Sequence, residues 1–87
     1  MTWKVILSHR AVKDAKKLQD AGFKPQAEVL LSLLKSRPFH TPPAYEKLVG
    51  NLKGFYSRRI NIKHRLIYSV DENQKIVHIL RMWTHYE

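Results

Sequence analysis

The chain has 87 residues, and its 16 Lys and Arg stand against 7 Asp and Glu, a net charge of +9 near neutrality. A single domain spanning 1–87 is expected, with a thin core, because chains of this size bury only about 60% of their unfolded surface. With no cysteine, disulfide staples, thiolate zinc sites and a cysteine nucleophile are all excluded.

The longest strongly apolar stretch, Val29 to Leu34, is broken by Ser32 and is far too short to cross a bilayer. The N-terminal residues lack the apolar core and cleavage site of a secretory signal, so a cytoplasmic location with no membrane partner is expected. The basic balance points to a polyanionic partner, nucleic acid first, with an acidic protein surface as the other option.

Residues 3–7 are apolar and β-branched and read as a first strand. Ser8 then suits a helix N-cap. Val12, Ala15, Leu18 and Ala21 are spaced for one face of a helix, and Gly22 supplies the left-handed residue that ends it. Pro25 suits the first turn of a second helix, with Ala27, Leu30, Leu31 and Leu34 on one face and Val29 and Leu33 widening it. Pro38 stops that helix, and the two helices form a hairpin. Residues 38–45 hold three prolines and read as a loop.

The pattern then turns to β. Phe55 to Ile60 and Arg65 to Val70 read as strands, Asp71 to Gln74 as a turn, and Ile76 to about Trp83 as the last strand. A short extra strand is expected near Leu48. The fold is therefore α+β, in the order β-α-α-β-β-β(-β). Its antiparallel sheet is covered on one face by the helical hairpin and open on the other. Alternation places Leu66, Tyr68 and Val70 in the core and Arg65 on the open face, while both rows of the last strand are apolar and leave its facing open.

Lys47, Lys53, Arg58, Arg59, Lys63 and Arg65 fall within nineteen residues, interleaved with Tyr45, Phe55, Tyr56 and Tyr68. Cations neutralise phosphates and aromatic faces stack on bases, so this density suits single-stranded RNA. A solvated strand face with core aromatics would carry the same letters. The five histidines lack helical ligand spacing and acidic ligands are scarce, so neither a metal nor a cofactor is expected.

Glu46, Arg65, His85 and Tyr86 together would suit RNA cleavage without metal. A carboxylate or imidazole can take the proton of a ribose 2′-hydroxyl, a guanidinium stabilises charge growing on the phosphate, and an imidazolium can protonate the departing 5′-oxygen. Spacing alone does not bring the four together. Glu46 and Arg65 also read as surface groups, and His85 and Tyr86 as a frayed end.

The run Glu46-Lys47-Leu48, then Gly54-Phe55-Tyr56-Ser57-Arg58-Arg59-Ile60, then His64-Arg65-Leu66-Ile67-Tyr68, ending in His85-Tyr86, resembles the YoeB/Txe branch of the RelE/ParE superfamily of bacterial toxins. The resemblance implies the toxin of a type II toxin–antitoxin system. It implies a ribosome-dependent endoribonuclease (mRNA interferase) that cuts mRNA in the A site and inhibits translation. By position, Glu46 resembles the family's general base, His85 its general acid, Arg65 the phosphate-stabilising residue and Tyr86 the substrate-positioning tyrosine. The base and acid roles are interchangeable on this reading. Arg58 and Arg59 match an RNA-contacting pair, with Lys47, Lys53, Lys63 and His64 as further contacts. Implied partners are a YefM/Axe-like antitoxin, the ribosome with mRNA, a second copy of the chain, and operator DNA through the antitoxin complex. Lys47 stands where relatives often carry Pro and Tyr56 where they often carry Trp, and Glu87 adds a charge beside His85. From a different class, a non-enzymatic ParE-like toxin that binds a protein such as DNA gyrase is the alternative.

Overall fold

The computed structural model describes residues 3–40, 45–61 and 64–82. Five strands and two α-helices follow one another as β1 (Lys4–Leu7), α1 (His9–Asp20), α2 (Lys24–Ser36), β2 (Tyr45–Lys47), β3 (Tyr56–Arg59), β4 (Arg65–Asp71) and β5 (Ile76–Arg81), with a 3-10 turn at Gly50–Leu52. The strands form one sheet in the order β1-β5-β4-β3-β2. Three of its pairings are antiparallel, as short connections require.

The sheet is mixed rather than wholly antiparallel. β1 lies parallel to β5, with Val5 opposite Val77 and Leu7 opposite Ile79. Parallel pairing needs a long return path, and here the helical hairpin and three strands provide it. The extra strand expected near Leu48 is β2, which ends at Lys47.

Ser8 caps α1 as its sequence suggests. Its hydroxyl accepts from the Ala11 N–H at 3.0 Å and donates to the Leu80 carbonyl at 2.7 Å, tying the helix start to the end of β5. The helix ends at Gly22, whose φ of 86° is open to glycine without steric cost. The Gly22 N–H reaches the Gln19 carbonyl at 3.1 Å and the Phe23 N–H reaches Leu18 at 2.8 Å, the two bonds of a Schellman stop.

The inner face of α1 differs from the periodic expectation. Ala11, Asp14 and Leu18 are buried, while Val12 is 56% exposed. The helix is rotated because Asp14 has a partner beneath it. Its carboxylate accepts from Arg81 Nε at 2.7 Å and from the Met82 N–H at 3.1 Å. A buried carboxylate is tolerated when charge and hydrogen bonds meet it. In α2, Ala27, Leu30 and Leu34 are buried as expected, and Val29 faces solvent.

The core lies between the hairpin and one face of the sheet. Leu18, Leu30 and Leu34 meet Leu66, Tyr68, Val77, Ile79 and Met82 there. Glu46, Ser57, Arg59, Arg65 and Ile67 alternate onto the opposite face.

Candidate functional site

Glu46 is the middle residue of β2, an edge strand, and Arg65 opens β4, two strands away. Two inter-strand steps span about 9.5 Å, within reach of an extended arginine. Arg65 Nη1 comes to 3.4 Å from Glu46 Oε2, with the carboxylate side chain 65% exposed and the arginine 21%. A contact this long and wet contributes about 0–1 kcal/mol to stability. Its consequence is chemical: a carboxylate and a guanidinium stand together within reach of solvent.

Arg59 lies directly opposite Arg65 in the β3–β4 ladder and is exposed. Like charges in facing positions repel, and a phosphate between or beside them relieves that repulsion. Ser57 sits between Glu46 and Ile67 in the same row. It is buried, and its Oγ has no hydrogen-bond partner among the described residues. Along the sequence Ser57 has no role beyond its place in the Tyr56-Ser57-Arg58-Arg59 run. Only the β2–β3 register sets it beside Glu46.

Lys47 and Lys53 are exposed and line a cleft of about 480 Å³ with Leu48, Val49, Phe55 and Tyr56. The structure thus gathers Glu46, Arg59 and Arg65 on one face, whereas Lys47, one position out of phase with Glu46, lies with Tyr56 on the other and lines the cleft with Lys53. His85, Tyr86 and Lys63 lie outside the described residues.

Two expected RNA contacts are instead interior groups. Arg58 is 1% exposed and His64 6%. The His64 ring packs 6.1 Å from the Phe23 ring, and its carbonyl accepts the Ile60 N–H at 2.9 Å. Arg58 points to the helix side, one position out of phase with Arg59. Its Nη2 donates to the Pro38 carbonyl at 3.0 Å and to the His40 carbonyl at 2.8 Å, and its Nε donates to the Tyr68 hydroxyl at 3.1 Å. Tyr68 in turn donates to the Pro38 carbonyl at 3.0 Å. Burial pushes the Tyr68 phenol above the usual 10.0, with the Arg58 charge pulling partly back.

Around these groups Phe39, Tyr45, Tyr56 and Tyr68 form a ring cluster with neighbouring centroids 5.2 to 5.7 Å apart. Such spacings favour tilted and edge-on aromatic packing. These aromatics therefore serve the core beside the site. Among the described residues no group of three or more His, Cys, Asp or Glu is placed to hold a metal ion, and no helix is long and apolar enough to cross a membrane.

Comparison with known proteins bears on the family and the fold. A family model described as the YoeB-like toxin of bacterial type II toxin–antitoxin systems matches residues 8–86. A toxin YoeB from Synechocystis sp. is 34% identical over 68% of this chain, and the match spans 66% of that protein's length. Among solved structures, a YoeB/ParE toxin from Agrobacterium tumefaciens superposes with a TM-score of 0.85 at 27% identity, covering 95% of this chain and 99% of that one. YoeB in its heterotetrameric complex with YefM from Staphylococcus aureus gives 0.80 at 32% identity, covering 99% and 100%. The same protein is also known as a YoeB dimer.

Proposed function

Because the chain belongs to the YoeB-like toxin family of bacterial type II toxin–antitoxin systems, we propose that it is a ribosome-dependent endoribonuclease acting on mRNA in the A site. The observation that carries this reading is the exposed Glu46–Arg65 pair at 3.4 Å with Arg59 facing Arg65. A protein-binding inhibitor has no need of a base and two cations converging on solvent.

The proposed reaction is an internal transfer. Glu46 takes the proton of the ribose 2′-hydroxyl, and that oxygen bonds to the adjacent phosphorus. Arg65 leaves its loose contact with Glu46 and holds the phosphate oxygens as charge grows on them. The bond from phosphorus to the 5′-oxygen breaks, and His85 supplies the proton which that oxygen needs. The products are a 2′,3′-cyclic phosphate and a 5′-hydroxyl. Tyr86 orients the substrate, and Arg59, Lys47 and Lys53 hold neighbouring phosphates. No step calls for a metal or a cofactor, since proton transfer and a guanidinium supply what the reaction requires. The ribosome supplies substrate positioning, a contribution that can dominate the rate, so naked RNA is a poor substrate.

The net charge of +9 fits an acidic antitoxin that covers the cationic face. By likeness to the S. aureus protein, a YefM-like antitoxin and a second copy of the chain are the proposed partners. Operator DNA is reached through the antitoxin complex, and the cytoplasm is the site of action.

Primer extension on programmed ribosomes, with wild type and Glu46→Ala side by side, tests the proposal. A-site cuts that require ribosomes and vanish in the variant support it. No cuts from folded, ribosome-bound wild-type protein would replace it with a binding inhibitor of the ParE kind.

A further inference from the structure

Arg58 looks like half of an RNA-binding arginine pair, yet its guanidinium is enclosed. Strand alternation puts it on the face away from Glu46 and Arg65. With 1% of its surface exposed, it cannot meet RNA on the open face.

What it meets instead is the chain leading into β2. One nitrogen, Nη2, bridges the carbonyls of Pro38 and His40 at 3.0 and 2.8 Å. Nε holds the Tyr68 hydroxyl at 3.1 Å, which itself donates to Pro38. The guanidinium carbon lies 5.1 Å from the centre of the Tyr45 ring, and Tyr45 is the residue paired with Arg58 in the β2–β3 ladder. Tyr45 precedes Glu46 directly.

β2 has only three residues and lies at the sheet edge. Its own ladder bonds are few, so its position depends on what grips its flanks. A planar guanidinium with five donors can satisfy two carbonyls and a hydroxyl at once while covering an aromatic ring. Lysine, a single rotating ammonium, cannot.

We infer that Arg58 is a positioning residue, clamping the 38–40 segment and Tyr45 so that the Glu46 carboxylate is held beside Arg65. The inference rests on the reading of Glu46 as the catalytic base. Arg58 acts on the chemistry only through β2.

The test uses single-turnover cleavage on programmed ribosomes, ribosome affinity measured separately, and backbone amide exchange, for Arg58→Lys, Tyr68→Phe, Glu46→Ala and the doubles with Glu46→Ala. A shift of about 1 Å in a catalytic group can cost on the order of 100-fold. Arg58→Lys should therefore lower the rate at saturation by about 10- to 100-fold. Ribosome affinity should stay within about twofold, since the residue makes no phosphate contact. Amide exchange should quicken at 45–47 while 65–71 and 76–81 stay protected. In the Glu46→Ala background the same change should cost nothing more, because the group it positions is gone. Tyr68→Phe removes one hydroxyl from the clamp and should act in the same direction with a smaller effect. If Arg58→Lys does not fold, Tyr68→Phe decides.

Lost affinity with an intact saturated rate would make Arg58 an RNA ligand and overturn the inference. So would an equal further loss in the Glu46→Ala background, or a wild-type rate in both clamp variants. A wild-type protein that makes no cuts would remove the proposed function itself, and the role of Arg58 with it.

Discussion

Arg58 and Arg59 are neighbours on one strand with the same side chain, and they have opposite fates. Arg58 is enclosed by carbonyls, a phenol and an aromatic ring. Arg59 stands in water opposite Arg65. The two-residue period of a strand is the whole cause: one step of the chain exchanges the helix-covered face for the open one. The same division runs through the molecule. The covered face holds Leu34, Leu66 and Tyr68 and confers stability. The opposite face holds the exposed Glu46 and Arg59 and the partly buried Arg65 beside the buried Ser57 and Ile67, and its charged groups contribute little to stability.

That comparison can be broken most directly at Glu46. Glu46→Ala should lower A-site cleavage by about 10²–10⁴-fold. Its thermal unfolding should shift little, since an exposed pair contributes about 0–1 kcal/mol. A large loss of stability in a denaturant titration would show that the open face is structural as well.

Leu34→Ala is the mirror experiment. Leu34 is fully buried in the core, and its truncation should cost about 2–5 kcal/mol in denaturant unfolding. Cleavage per folded molecule should be unchanged.

Asp14 sharpens the comparison, because it is a charge on the covered side. Asp14→Ala removes the carboxylate that accepts from the Met82 N–H and from the partly exposed Arg81. A loss of about 2–3 kcal/mol is expected by chemical denaturation, below the range for a fully buried pair because water reaches Arg81.

Tyr68 gives the covered face a pH signature. Its folded pKa is raised above the unfolded 10.0 by burial. The contribution of the neutral phenol is therefore complete below the unfolded value and is lost as pH rises through the folded one. Unfolding followed between pH 8 and 11 should show stability falling at the alkaline end. Tyr68→Phe should cost about 1–2 kcal/mol near neutrality through its lost hydrogen bonds, and this alkaline contribution should disappear.

The smallest effect belongs to Arg59. Arg59→Ala should reduce the slope of log affinity against log salt for single-stranded RNA by about 0.7 if one phosphate contact is lost. Stability should change by no more than about 0.5 kcal/mol.

Much of the architecture is legible along the chain because it depends on neighbours in sequence. Ser8 as a cap, Gly22 as a stop and Ala27, Leu30 and Leu34 as an inner stripe each follow from local geometry, and each is found in place. Alternation likewise assigns Leu66 and Tyr68 to the core and Arg65 to the open face. The misplaced face of α1 has a non-local cause. An acidic residue counts as a solvent position in any apolar pattern, and nothing near Asp14 in sequence announces Arg81 as its partner.

The residues that resemble the toxin family were visible by type and spacing, Glu46 and Arg65 among them. Which of the clustered cations reach solvent was not. Arg58 and Arg59 are indistinguishable as letters, and the burial of His64 beside the Phe23 ring is set by the fold and not by its neighbours in sequence.

The sequence by itself determined the order and type of the elements, the ends of α1 and the cationic character of the chain, because caps, turns, periodicity and charge are local or additive. Tertiary structure alone decided that β1 lies parallel to β5, that Asp14 turns inward, that Ser57 stands beside Glu46, and that Arg58 grips the 38–40 segment. Each of these depends on strand register and on contacts between residues far apart in the chain, where one step of register exchanges the buried face for the exposed one.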